Sequence, residues 1–246
     1  MTWNMVIEPS VKQIAHYQGT FYGVGDDNAV YENYGNSSHW RRLTSGQVTS
    51  ITIQGGIVYG LGVDGAVWKH PLDSGTWEKL NTWSILKLIV NDNDMFGLGV
   101  DHGIWKSNIN GGGWRKIISG SITDFCLYNG KFYGVGLDGC IWIHSQQESE
   151  SWQKLADGTV TKIDITNNGV YGLGADGAIW RHPLQKGAQT WTKVTDEGIT
   201  DFLVHGSQIY GIGTDKAILK WQKSSEKQNK GGVLKLRNYS KRKLII

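Results

Sequence analysis

Cysteine, proline and arginine are scarce in this 246-residue chain, with two, three and six copies respectively. Two cysteines cannot make a disulfide scaffold, and at this length a sizeable core forms without staples. Six arginines, two of them in the last ten residues, leave little for a cluster that would clamp a carboxylate substrate. No apolar run approaches the ~18 residues of a membrane helix, and mean hydropathy is −0.34. The start, Met1-Thr2-Trp3-Asn4, shows no charged segment followed by an apolar one. The expected location is therefore cytoplasmic, or outside the cell without a signal peptide. Helical periodicity is missing too, since no stretch of the body keeps it for three turns.

Charge of one sign is concentrated at one end. Residues 221–246 carry eight basic side chains and one acid, Glu226, within a net charge of +3 for the whole chain. The first 220 residues are thus mildly acidic, so no nucleic-acid partner is expected for the folded part. Two readings of the tail stay open: a solvated extension, or a basic and apolar end (Lys241-Arg242-Lys243-Leu244-Ile245-Ile246) that attaches to anionic surfaces.

Abundance is in Gly, with 34 copies, and Trp, with twelve. Collagen is excluded because the glycines follow no three-residue period. They follow a longer one. An aromatic-Gly-aliphatic-Gly block begins at Tyr22, Tyr59, Phe96, Tyr133, Tyr171 and Tyr210. Nine residues after each stands another large side chain: Tyr31, Trp68, Trp105, Trp142, Trp180 and Leu219. A Trp-x-x-aliphatic block starts at Trp3, Trp40, Trp77, Trp114, Trp152 and Trp191, and a β-rich run begins eight residues later. This register absorbs every Trp except Trp83 and Trp221.

Each block reads as a strand, and Asp64-Gly65, Asp138-Gly139 and Asp176-Gly177 read as two-residue hairpin turns. Six units of four strands predict an all-β, six-bladed β-propeller over residues 1–220, with 221–246 outside it. With Asp64-Gly65 as a two-residue turn, Tyr59, Leu61, Trp68 and His70 share one face, and Gly60 and Gly62 the other. Length varies just before each Trp-x-x-aliphatic block and nowhere else, which places a surface hairpin there. That block is therefore the outer strand of the preceding blade. The count then leaves the sixth blade one strand short, and Trp3–Val6 is the spare that closes the ring.

Gly174-Ala175-Asp176-Gly177-Ala178-Ile179-Trp180, alternating with segments such as Trp152-Gln153-Lys154-Leu155, resembles the tectonin repeat of slime-mould and fungal tectonins and fish-egg lectins. The resemblance covers residues 3–220. It implies a propeller lectin with several equivalent sites for glycans on cell or microbial surfaces, including those of lipopolysaccharide type. It also implies a haemagglutinin-like role in innate defence. Asp27-Asn28-Ala29-Val30-Tyr31 and Asp215-Lys216-Ala217-Ile218-Leu219 depart from the pattern, so those two sites are expected to be altered.

A pyranose site needs an aromatic face and a few polar groups. The outer strands supply Trp with a cation two residues on: Trp40/Arg42, Trp77/Lys79, Trp114/Lys116, Trp152/Lys154 and Trp191/Lys193. Trp3/Met5 lacks the cation. The alternative for these Trp is packing between blades, with the Lys stems lying over them. His70, His144 and His182 recur on separate blades, too far apart for one metal ion, and read as rim or packing residues. Asn91-Asp92-Asn93-Asp94 lacks the rest of a calcium loop and reads as a turn. Cys126 and Cys140, expected two strands apart, read as buried thiols. Sialidases are six-bladed as well, but their Asp-x-Gly-x-x-Trp turn is one residue longer than the Asp-Gly-x-x-Trp here, and no unique acid–base pair stands out. The expectation is a monomeric, non-catalytic lectin without metal or cofactor. The competing reading is an intracellular propeller that scaffolds protein–protein contacts.

Overall fold

The computed structural model describes residues 2–7, 11–34, 40–73, 75–147, 151–185, 190–196 and 198–222, with backbone alone for 2–7 and Gln222. Of the tail, residues 223–246 lie outside the described residues. Alternating apolar strands punctuated by turn residues build six antiparallel four-stranded sheets, and no helix occurs among the described residues. The chain is a six-bladed β-propeller. In blade two the strands run Val48–Gln54, Ile57–Gly62, Val67–Pro71 and Glu78–Asn81, from the axis outwards. Blades one, three, four and five follow the same order.

Blade six takes its outer strand from the other end of the chain. Thr2–Ile7 pairs antiparallel with Ile218–Gln222, in the register Trp3 to Trp221 and Met5 to Leu219. The ring is closed by hydrogen bonds between the beginning of the chain and its last strand, as the strand count predicts. An edge that would otherwise be bare is thereby covered.

Six apolar clusters lie one at each seam between blades. Each mixes the second- and third-strand residues of one blade with the inner strand of the next. At the seam of blades three and four, Phe96, Leu98 and Ile104 meet Ile122, Phe125 and Phe132, with Phe96 and Phe132 edge to face at 5.1 Å. The axis is polar by contrast. Six equivalent inner-strand positions, Gln13, Ser50, Lys87, Asp124, Lys162 and Asp201, line a cavity of about 520 Å³. Lys87 pairs with Asp124 at 2.6 Å and Lys162 with Asp201 at 3.0 Å, each across a seam. Asp124 accepts from the Ile163 amide at 2.7 Å, Asp164 from that of Val204 at 2.7 Å, and Gln13 from that of Ile51 at 3.1 Å. Inner strands have one edge without a ladder partner, and these side chains supply the bonds that a neighbouring strand would. Burial raises the Asp164 and Asp201 carboxyls above the ordinary range.

One register differs from expectation. Gly60, not Leu61, stands opposite Trp68, and Leu61 stands opposite Val67. The turn has three residues rather than two: the Gly65 amide donates to the Gly62 carbonyl at 3.0 Å and the Gly62 amide to that of Ala66 at 2.8 Å. The Asp64 carboxylate accepts the Ala66 amide at 3.1 Å, which favours a type I turn with its αL residue at Gly65 (φ 75°). The shift by one moves Trp68 onto the glycine face. A Cβ on Gly62 would lie 2.7 Å from the Trp68 indole nitrogen, and one on Gly60 3.1 Å from the Trp77 ring. The hollow left by the glycines is filled by indoles of the same blade.

The turns between second and third strands emerge on one face of the disc, beside the crossovers into the inner strands. Val63, Leu137 and Thr214 amides donate to Gln47, Ser121 and Gly198 carbonyls at 2.9–3.1 Å, tying each turn to its crossover. This face is called the upper face below.

Candidate functional site

On the upper rim of blade two, three side chains converge. Trp68 is the second residue of the third strand and stands opposite Lys79 of the outer strand. Four residues before Trp68, Asp64 sits in the turn. The indole Nε1 donates to Asp64 Oδ1 at 3.1 Å, Lys79 Nζ lies 2.8 Å from Asp64 Oδ2, and the same ammonium is 5.2 Å from the Trp68 ring centroid. The carboxylate thus holds the indole and the ammonium in fixed relation. Both Lys79 and Asp64 remain about 39% exposed.

The constellation repeats. Blade three brings together Asp101, Trp105 and Lys116, at 3.0 Å for the indole bond and 2.8 Å for the ion pair. Blade four has Asp138, Trp142 and Lys154, with the indole bond at 3.2 Å and Lys154 shared between Asp138 at 3.9 Å and Asp157 at 2.9 Å. Blade five has Asp176, Trp180 and Lys193, at 3.3 and 3.5 Å. Blade one substitutes Tyr31 and Arg42 around Asp27: the phenol donates at 2.9 Å and the guanidinium lies at 3.5 Å. In blade six Asp215 still caps its turn through the Ala217 amide, but Leu219 replaces the aromatic and stands opposite Met5. The departures noted in blades one and six therefore fall within the constellation itself.

The outer-strand Trp residues take a different place. Trp40, Trp77, Trp114, Trp152 and Trp191 each pack into the seam with the preceding blade. His70, His144 and His182 are buried against Trp77, Trp152 and Trp191, with ring centroids 5.2–5.3 Å apart. Those histidines are thus packing residues of the seams. Trp152 and Trp191 donate to the Ser119 and Asp157 carbonyls at 3.2 and 2.6 Å, whereas the Trp77 Nε1 is buried with no partner. The cations Arg42, Lys79, Lys116, Lys154 and Lys193 are thus joined to the third-strand aromatic, not to the Trp two residues before them. Sequence reasoning singled out the cation and missed its partners. The signal is present in the sequence as the repeated Asp-x-x-x-aromatic spacing. Trp3 and Met5 lie outside the described side chains.

Both indoles of blade two meet at a shallow pocket of about 300 Å³. Its walls are Gly46, Gln47, Val48, Val63, Asp64, Trp68 and Trp77, so it opens on the upper face at the seam with blade one. Asn91–Asp94, in contrast, forms a plain hairpin, with Asn91 opposite Asp94 and a positive φ of 54° at Asp92. Cys126 and Cys140 are buried free thiols.

The carboxylates are electrostatically fixed. Lys79 and then Trp68 hold Asp64 down at about 2, and Lys116 and Trp105 do the same for Asp101. The Cys140 amide first, then Trp142, lowers Asp138. A depressed carboxyl pKa favours the charged form in the fold, so this interaction is complete above the unfolded value near 3.8 and is lost as pH falls towards 2. A carbon-detected NMR titration should place the Asp64 midpoint near 2. In Lys79→Met it should rise by about one unit; an unmoved midpoint would show that the ion pair does not set it.

No family model and no curated protein matches this sequence. Solved structures do. YCF48 from Cyanidioschyzon merolae superposes with a TM-score of 0.62 at 12% identity, over 90% of this chain and 98% of that one. A structure described as YCF48 bound to D1 peptide gives 0.61 at 13%, over 90% and 96%. The computationally designed Ika8 protein gives 0.56 at 17%, over 85% of this chain and 69% of that one. The likeness is one of fold.

Proposed function

We propose that this propeller is a multivalent, non-catalytic carbohydrate-binding protein of the tectonin type, acting without metal or cofactor. One observation carries the reading: the Asp–Trp–Lys constellation recurs in four blades, and as Asp–Tyr–Arg in a fifth, always half-exposed on the same rim. The carboxylate also caps its turn, as in blade six where no aromatic follows, but capping alone does not call for the ammonium and the partly exposed indole gathered beside it. A sugar uses all three. The apolar face of a pyranose stacks on the ring, its hydroxyls donate to the carboxylate, and other hydroxyls accept from the ammonium. The outer Trp, at the back of the pocket in blade two, adds a second aromatic wall.

Each such site offers few contacts, so single-site binding should be about millimolar, near −4 kcal/mol. Five sites on one rigid ring convert weak pockets into avidity on a dense glycan surface. The competing reading, a protein-binding scaffold, draws support from one neighbour of the same fold whose description includes a bound peptide. A glycan array and haemagglutination, each with and without chelator, separate the two. Chelator-insensitive binding to a glycan class is the expected result. A blank array together with capture of a defined protein partner would overturn the lectin reading.

A further inference from the structure

The upper face is not uniform around the ring. At the first position of the three-residue turns between second and third strands, blades two, three and four carry Val63, Val100 and Leu137, which are 51%, 65% and 65% exposed. The same position holds Asp26, Ala175 and Thr214 in blades one, five and six. Blade three adds two more apolar groups. Leu86, 55% exposed, occupies the bulged inner-strand position that is Lys12 or Thr in every other blade. Trp83, 44% exposed, lies in the crossover where neighbouring blades have Gly46, Gly120 and Gly158, and its ring leans on Trp105 at 4.9 Å. Trp83 is also one of the two Trp residues that the repeat does not explain.

We propose that this arc of blades two to four docks on a lipid bilayer, with Val63, Trp83, Leu86, Val100 and Leu137 entering the interfacial layer. Shape decides the occupant. Val63, Val100 and Leu137 are equivalent positions of a rotational repeat and so stand at one height above the disc, with Trp83 packed on Trp105 beside them and Leu86 at the mouth of the axial cavity. Between them stand the Lys79–Asp64, Lys116–Asp101 and Lys154–Asp138 pairs. A zwitterionic headgroup layer supplies complementary charges of both signs at that depth. Area argues the same way: at about 100 Å² per fully exposed apolar side chain the five tips offer roughly 300 Å². That is below the ~450 Å² of apolar area, about 56% of ~800 Å², that each partner contributes to a standard protein interface. Insertion of separate tips into lipid needs no continuous patch, and a half-exposed indole suits the headgroup boundary. The inference does not rest on sugar binding, although docking in this pose would turn the constellations of blades two to four towards the lipid surface.

The repeat itself supplies conservative variants, because other blades carry the replacement residues. The probe is vesicles of phosphatidylcholine alone, which give the basic tail no anionic target. The full chain should float with them at physiological salt, and its Trp emission should shift to the blue. Val63→Thr/Leu86→Thr/Val100→Thr/Leu137→Thr with Trp83→Gly should weaken partitioning by at least tenfold, and the single variants Val100→Thr and Leu137→Thr by a few-fold each. Should the combined variant fail to fold, the two single variants and Leu86→Thr decide alone. Absence of the wild-type chain from the floated fraction would overturn the proposal, as would flotation unchanged by these substitutions. A wild-type dimer that the variants convert to monomer would assign the arc to a second copy instead.

Discussion

Deleting residues 1–7 should lower the melting temperature by about 10–20 °C and make the chain self-associate beyond the state of the full-length protein. The segment Thr2–Ile7 is the outer strand of blade six, paired with Ile218–Gln222 through five residue pairs. A handful of ladder hydrogen bonds at about 1 kcal/mol each amounts to roughly 5 kcal/mol. For a chain of this size each kcal/mol is worth about 2–4 °C. The deletion also bares the edge of Ile218–Gln222, and a bare edge pairs with another chain. Trp221 sits on that strand, 6% exposed in the seam cluster of blades five and six. Its packing would be loosened at the same time. Calorimetry and light scattering on the truncated protein check both parts. A truncated chain that melts like the full one and associates no further would mean that blade six closes without its first strand.

The six-fold register, the four strands per unit, the outer position of the Trp-x-x-aliphatic strand and the closure by Trp3–Val6 were all legible before any coordinates. They rest on period and on where insertions fall, and both survive small errors in local structure. The face assignments did not survive. Taking Asp64-Gly65 as a two-residue turn displaced the third strand by one position, and a slip of one exchanges the two faces of a strand. The carboxylate of Asp64 decides between the two turns by accepting the Ala66 amide, which no propensity for Asp-Gly reports. The pairing of the third strand with the outer strand, which sets Trp68 opposite Lys79, crosses the hairpin whose length varies, so the repeat spacing does not fix it. The axial ring of Gln13, Lys87, Asp124, Lys162 and Asp201 was missed for another reason. Charged residues on a strand that faces solvent and charged residues that satisfy a bare strand edge look alike in sequence. Closure of the ring distinguishes them.

Those two environments of Trp make a paired experiment. Trp152→Ala should cost about 3–5 kcal/mol, because the ring fills the seam of blades three and four, covers Gly134 and meets His144 edge to face. Trp142→Ala, in the same blade, should cost far less, since its ring lies over the rim with a lysine ammonium 5.4 Å from the centroid. Its loss should fall on sugar binding instead: one of five sites removed, with Asp138 and Lys154 left without the stacking face. Trp68→Ala, Trp105→Ala and Trp180→Ala combined with it should then reduce avidity for an immobilised glycan in steps. Each lost site should cost a further multiplicative factor, since avidity compounds with the number of simultaneous contacts. Thermal unfolding and glycan retention measured on the same preparations separate the roles. A stable Trp142→Ala/Trp68→Ala protein with undiminished retention would empty the rim constellation of its function. The outer Trp and the variable hairpins before them would then be the remaining candidates. Loss of retention at full stability would assign the sugar face to the third-strand indole and leave Trp152 as the wedge between blades.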